Sequence, residues 1–297
     1  PVARATPAEL ARYQVLVLPN LVCISDELAN NLREYVADGG RLIATYLTSL
    51  KDEQGEARDD YALADVFGAG FQAVDPTYAA NAYGSYLNRR ESPLWESLPD
   101  TLLALAPPLV RAEAAGEVLA THVLPACVLG EESWVNWWSP PPAQDSGLPA
   151  VVRNRYGAGE CLWFGFDVCG MSAAMTSAFG YRVAFPYLRE LLTGALELLT
   201  PQPPVRLHTL TPRAVGVTYF RRGDQLLVHL LNHGVSPLLG DVVPVRPGRL
   251  ALRESFFPAQ SAKLVYPCEQ ELCLERDGGE ITIALPELEL HQIVQIG

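Results

Sequence analysis

The first half of the chain repeats a short apolar run, a polar break, and then an apolar stripe at helical spacing. Tyr13–Leu18 (YQVLVL) is wholly apolar apart from one Gln and ends at Pro19-Asn20, as a strand buried on both faces does. Ser25 follows as a helix N-cap, with Asp26 and Glu27 in the first turn at the positive end of the dipole. Leu28, Leu32, Tyr35 and Val36 form one stripe, and Asp38-Gly39-Gly40 ends the helix. Arg41–Tyr46 (RLIATY) reads as a second buried strand. The sequence thus predicts a βαβ unit on a parallel sheet.

Downstream, KDEQGEARDD at 51–60 is a polar loop, and Tyr61–Phe67 reads as a short helix stopped by Gly68. Residues 70–130 mix short apolar stretches with Pro and Gly and give no clear period. Val151–Arg155, the turn Gly157-Ala158-Gly159 and Glu160–Phe166 read as a β-hairpin, and Phe185–Leu199 as an amphipathic helix.

The pattern changes at Thr200-Pro201-Gln202-Pro203-Pro204, a stiff extended segment that no helix can cross. Beyond it, Ala214–Phe220 and Gln225–Leu231 flank Arg221-Arg222-Gly223-Asp224 as a hairpin. Arg249–Ser255, Ser261–Tyr266, Glu271–Glu275, Ile281–Leu285 and His291–Ile296 continue as short strands, so this part reads as an antiparallel β-sandwich. The predicted domains are residues 1–200 and 201–297.

Charge sharpens the division. Of 22 Lys+Arg and 34 Asp+Glu, residues 201–297 hold 9 and 10, leaving 13 and 24, net −11, for residues 1–200. An acidic surface repels phosphate backbones, which excludes nucleic acid as a partner. No run approaches the ~20 apolar residues of a membrane helix. Six cysteines, at 23, 127, 161, 169, 268 and 273, form no CxxC and sit near no His at zinc spacing. They read as free thiols of a reducing compartment, hence a cytoplasmic protein, although Cys268 and Cys273 could also pair across a hairpin.

The run from Tyr13 to Glu53 (YQVLVLPNLVCISDELANNLREYVADGGRLIATYLTSLKDE) resembles the β-galactosidase trimerisation domain of family 42 glycoside hydrolases, with strand, cap, helix, GG and ATY at the family's spacings. Val151–Asp167 (VVRNRYGAGECLWFGFD) resembles a later hairpin of the same domain, and Val215–His233 resembles the first hairpin of the small C-terminal β-domain of such glycosidases. The resemblance implies a flavodoxin-like, three-layer fold similar to class I glutamine amidotransferases. It implies an oligomer, a trimer above all, and no cofactor. In amidotransferases a Cys follows the strand equivalent to Arg41–Tyr46; here Tyr46-Leu47-Thr48-Ser49 stands there, without a thiol. The family's catalytic barrel, which needs roughly 250 residues, is absent, and so are its carboxylates. The family's domain also begins with further elements before the point matching Tyr13. The expectation is therefore an N-terminally incomplete domain, part of a longer glycosidase-like protein or one whose sheet another segment completes.

Candidate chemistry is sparse. Asp52/Glu53, Asp59/Asp60 and Glu131/Glu132 are adjacent acids in polar loops, which normally face solvent. Asp167 ends a strand in an aromatic run and stands where parallel-sheet folds place their crevice, so it is a candidate ligand contact or a loop cap. Trp134, Trp137 and Trp138 in SWVNWWSPPP suit a carbohydrate platform, a subunit interface or a local core. His229 and His233 are four apart without a third ligand in sequence, so no metal is expected. Arg153, Arg155 and Tyr156 could hold an anion but suit surface pairs better. The leading reading is a non-catalytic oligomerisation region that walls a sugar cleft. The rivals are a hydrolase using Asp167 with Thr48 or Ser49, and a carbohydrate-binding module using the tryptophans.

Overall fold

The computed structural model describes residues 5–81, 83–128, 140–172, 175–176, 182–183, 185, 187–200, 204–208, 215–234 and 240–297. The chain separates into two compact units, Pro1–Pro201 and Gln202–Gly297.

In the first unit the elements run α1 (Pro7–Leu10), β1 (Val15–Leu18), α2 (Asp26–Ala37), β2 (Arg41–Thr45), α3 (Ala64–Phe67), β3 (Ala69–Asp75), β4 (Ser85–Arg89), β5 (Leu103–Leu105), β6 (Leu109–Ala114), β7 (Glu117–Pro125), β8 (Pro142–Tyr156), β9 (Gly159–Phe164), α4 (Val168–Ser172), β10 (Met175–Thr176), β11 (Arg182–Val183) and α5 (Tyr187–Leu199). Ser25 Oγ accepts the Leu28 amide at 3.1 Å and starts α2. Gly68, at φ 62°, ends α3 in the left-handed region.

Seven strands form one sheet in the order β1-β2-β9-β8-β7-β4-β5. β1, β2 and β9 are parallel, with Val15 opposite Arg41 and Arg41 opposite Glu160. From β9 outward the pairings are antiparallel. The sheet is therefore mixed: the predicted βαβ unit supplies its parallel part and the predicted hairpin at 151–166 its first antiparallel pair, whereas the resemblance implied a flavodoxin-like sheet. The reason is connection length. A parallel neighbour needs a crossover of a dozen or more residues, whereas the two-residue turn at Gly157-Ala158 returns β9 directly beside β8. The 70–130 segment, without a clear period in sequence, supplies β3 to β7, of which β4, β5 and β7 join this sheet and β3 and β6 pair with each other.

Side chains alternate between two cores. Leu42, Ala44, Cys161 and Trp163 pack with Leu28, Leu32 and Val36 of α2 and Val66 and Phe67 of α3. Ile43, Leu162 and Phe164 pack with Leu188, Leu191 and Ala195 of α5. The β8–β9 turn presses onto the end of α2: the Ala158 amide donates to Ala37 O at 2.8 Å. A Cβ on Gly159 would stand 2.1 Å from Gly40 O and 2.2 Å from Val36 O, so only glycine fits there.

The second unit holds β12 (Val205–His208), β13 (Val215–Arg222), β14 (Gln225–Asn232), β15 (Arg249–Arg253), β16 (Ala262–Tyr266), β17 (Gln270–Leu272), β18 (Leu274–Asp277), β19 (Glu280–Ala284) and β20 (His291–Ile296). They form a four-stranded sheet, β12-β15-β19-β18, and a five-stranded sheet, β13-β14-β20-β16-β17, all antiparallel. Leu250, Leu252, Ile281 and Ile283 of the first share one hydrophobic cluster with Leu226, Val228, Leu230, Leu264, Val294 and Ile296 of the second. Glu271–Glu275, predicted as one strand, is two. The chain changes sheets at Cys273, so β17 pairs with β16 and β18 with β19.

Candidate functional site

The loops after β1, β2 and β9 converge at the carboxyl edge of the three parallel strands, where α/β sheets place their functional crevice. Three non-glycine residues there hold positive φ: Asn20 at 49°, Tyr46 at 56° and Ser49 at 67°. Hydrogen bonds knit the loops together. The Asn20 amide donates to Thr45 Oγ1 at 2.9 Å, and the Ser49 amide donates to Leu21 O at 2.8 Å. The Tyr61 hydroxyl donates to Tyr46 O at 3.0 Å. Burial, followed by the nearby Asp167 charge, raises the Tyr46 phenol above its ordinary value, so Tyr46 and Asp167 face the same region.

The two hydroxyls in the nucleophile's place are fully enclosed and committed. Thr48 Oγ1 lies 2.7 Å from Thr45 O and 3.1 Å from Leu18 O, and accepts the Leu21 amide at 3.2 Å. Ser49 Oγ accepts the Leu63 amide at 3.3 Å. Attack would also need a base. The one histidine in the first unit, His122, sits in β7 with Nδ1 2.9 Å from Ser85 Oγ. It is buried, and desolvation pushes its pKa down to about 3, against a small upward pull from Asp145. Both hydroxyls of the Thr48/Ser49 hydrolase reading are therefore buried and hydrogen-bonded to backbone, and the histidine of the first unit is buried in β7.

Asp167 is half-buried, and its Oδ1 accepts the Gly170 amide at 2.8 Å, holding the first turn of α4. Trp134, Trp137 and Trp138 lie outside the described residues. Asp52 Oδ1 accepts the amides of Gln54 and Glu56 at 3.0 and 2.8 Å, and Asp60 Oδ1 accepts those of Tyr61 and Phe71 at 2.7 and 2.6 Å. These acids tie loops together. Arg153 forks onto Glu160 Oε2 at 2.9 and 2.7 Å. His229 meets His291, Nδ1 to Nε2 at 3.2 Å, and among the described residues no three His, Cys, Asp or Glu gather as a metal-holding group.

Sequence reasoning missed the buried Ser85–His122 pair, because its members are 37 residues apart in a segment without clear period. It also missed Asp75 with Arg111, joined at 2.8 and 2.5 Å across β3 and β6. Cross-strand partners become visible only once the register is known.

Residues 3–91, which contain β1, α2, β2 and the enclosed Thr48, match the family described as the β-galactosidase trimerisation domain. The chain is 46% identical over 158 residues to β-galactosidase BbgII of Bifidobacterium bifidum, a match covering 52% of this chain and 20% of that protein. The solved α-L-fucosidase isoenzyme 2 from Paenibacillus thiaminolyticus superposes on 96% of this chain and 41% of its own, with a TM-score of 0.71 at 18% identity. A β-galactosidase from Bacillus circulans sp. alkalophilus superposes on 97% and 33%, with a TM-score of 0.59 at 15% identity. At those identities the structures define the fold. Against all three proteins the match spans well under half of the other chain.

Proposed function

We propose that this chain is the non-catalytic assembly region of a β-galactosidase-like glycoside hydrolase, and that it forms a homotrimer. The observation that carries this reading is the match of residues 3–91 to the trimerisation domain, over a sheet edge where the Thr48 and Ser49 hydroxyls are buried in bonds to backbone. On this reading the first unit is a divergent relative of the flavodoxin-like amidotransferase fold, with its parallel part reduced to three strands, and the second is a β-sandwich. Trp134, Trp137, Trp138 and Asp167 supply interface or sugar contacts. The missing chemistry belongs to a barrel on the same polypeptide or on a partner. No described helix is long and apolar enough to cross a membrane, and six free thiols suit the cytoplasm.

Light scattering on the size-fractionated chain tests the assembly. The expected mass is three times the 32.4 kDa of one chain. A monomer persisting across micromolar concentrations overturns the proposal. Chromogenic galactosides, arabinosides and fucosides should remain uncleaved by this chain; turnover abolished by Thr48→Val, Ser49→Ala or Asp167→Asn would restore the hydrolase reading.

A further inference from the structure

The outer face of the five-stranded sheet carries a pair of imidazoles that the assembly reading does not use. His229 lies in β14 and His291 in the adjacent β20, where Leu231 is opposite His291 and Ile293 is opposite His229. Directly opposed residues share a face, and so do residues two apart in a strand. Both histidines therefore project to the same side, away from Val228, Leu230 and Val294 of the core. Spacing along the chain set His229 beside His233; the register sets it beside His291. His233 stands on this face too, with Nε2 2.7 Å from the point where a Cβ on Gly216 would stand. Among the described residues the three histidines do not gather into one metal-holding group.

His229 Nδ1 and His291 Nε2 are joined by a hydrogen bond of 3.2 Å, with their ring planes within 22° of each other. Two nitrogens held ~2.0–2.1 Å from one ion, at ~90–110°, stand about 2.9–3.4 Å apart. The pair thus already has the separation of two ligands side by side on one ion. Each ring is also braced. Phe220 meets His229 edge-on at 5.6 Å, and Tyr266 tilts onto His291 at 5.3 Å and 43°. These two rings reach the face from β13 and β16, the strands that flank β14 and β20. Bracing lowers the rotamer entropy that a loose pair loses on binding. Both imidazoles are half-buried, so one side of each stays open to water.

Imidazole donors suit Cu(II), Ni(II) and Zn(II), whereas Mg(II) and Ca(II) call for oxygen. A closed structural zinc site takes four protein ligands, more than this pair supplies. Tetragonal Cu(II) accepts two imidazoles with water in its other positions, and it heads the affinity series. We propose that His229 and His291 form a surface site for one divalent late transition-metal ion, Cu(II) above all, bound through His229 Nδ1 and His291 Nε2. The ion displaces the proton of the hydrogen bond and fastens β14 to β20. The site lies wholly within the second unit and does not depend on how the first unit assembles.

Titration of the full chain with CuCl2 tests the site, after its exposed thiols have been alkylated so that they neither bind nor reduce the ion. The expected result is one equivalent bound with a dissociation constant of about 10 μM, and pulsed electron paramagnetic resonance showing two coordinated imidazoles. Ni(II) and Zn(II) should bind more weakly, and Mg(II) not at all. His229→Gln and His291→Gln should each weaken binding at least about ten-fold and leave at most one imidazole signal, while circular dichroism shows the fold intact. His233→Gln should change the affinity by less than about two-fold. Protons compete for the same nitrogens, so binding should weaken from about pH 7.5 to about pH 5. The proposal is overturned if Cu(II) binds no tighter than about 1 mM. Coordination by a single imidazole in the unsubstituted chain also overturns it. So does an affinity that His291→Gln leaves unchanged, because the ion then sits elsewhere.

Discussion

Thr48 ties the end of β2 to the end of β1: its hydroxyl stands 3.1 Å from Leu18 O, across a separation of 30 residues, while it accepts the Leu21 amide. The group in the place of an amidotransferase nucleophile is thus a fastener for the parallel strands. Thr48→Val keeps the shape and leaves buried backbone groups unpaired, at a cost of about 1–3 kcal/mol. Urea unfolding should show that loss, and Thr48→Ser should recover most of it. A neutral Thr48→Val would mean that the hydroxyl holds nothing.

His122 predicts an acid limb in the stability profile. Its folded pKa is depressed to about 3, against 6.5 when unfolded, so between those values the unfolded chain binds the extra proton. Stability falls as pH drops below about 6.5, by up to roughly 1.4 kcal/mol per unit, and this contribution levels off near pH 3. His122→Gln should flatten that limb in urea midpoints taken at pH 7, 5 and 4. An unchanged slope would assign the acid sensitivity to other groups.

Gly159 predicts a steric intolerance. Gly159→Ala forces a methyl into Val36 O and Gly40 O, so α2 and the β8–β9 turn must separate. We expect a loss of about 2–4 kcal/mol, within the range of overpacking and backbone displacement, read as a fall in Tm. Gly55→Ala, where the added methyl meets nothing within 4 Å, should cost about 1 kcal/mol, through its positive φ alone.

The cysteines predict a graded thiol titration. Cys23, Cys268 and Cys273 are exposed, whereas Cys161 is fully buried and its pKa is raised by desolvation and then by the Glu160 charge. Under native conditions a thiol reagent should label the three exposed residues rapidly and Cys161 only on unfolding, as peptide mass mapping would register. Rapid native labelling of Cys161 would contradict the packing of β9 against α2.

The βαβ start was legible because it is local. Ser25 caps over three residues, Leu28, Leu32 and Val36 repeat at one period, and Gly39-Gly40 stops the helix within a turn. The β8–β9 and β13–β14 hairpins were legible for the same reason, since glycine turns declare themselves in four residues. The roles of Thr48 and Ser49 were only half legible. The missing thiol could be read directly, but that both hydroxyls are enclosed and already bonded depends on Leu18, Leu21 and Leu63, which come from other segments.

The sequence by itself determined the short-range elements, the acidic first part and the proline-marked break, because each depends on neighbours within a turn or on composition. Only the tertiary structure decided that β7, β4 and β5 extend the sheet antiparallel beyond β8, that Cys273 carries the chain from one sheet to the other, and that Ser85 meets His122. Those outcomes rest on strand register and side-chain enclosure, which are set by the packing of distant segments and leave no periodic signal along the chain.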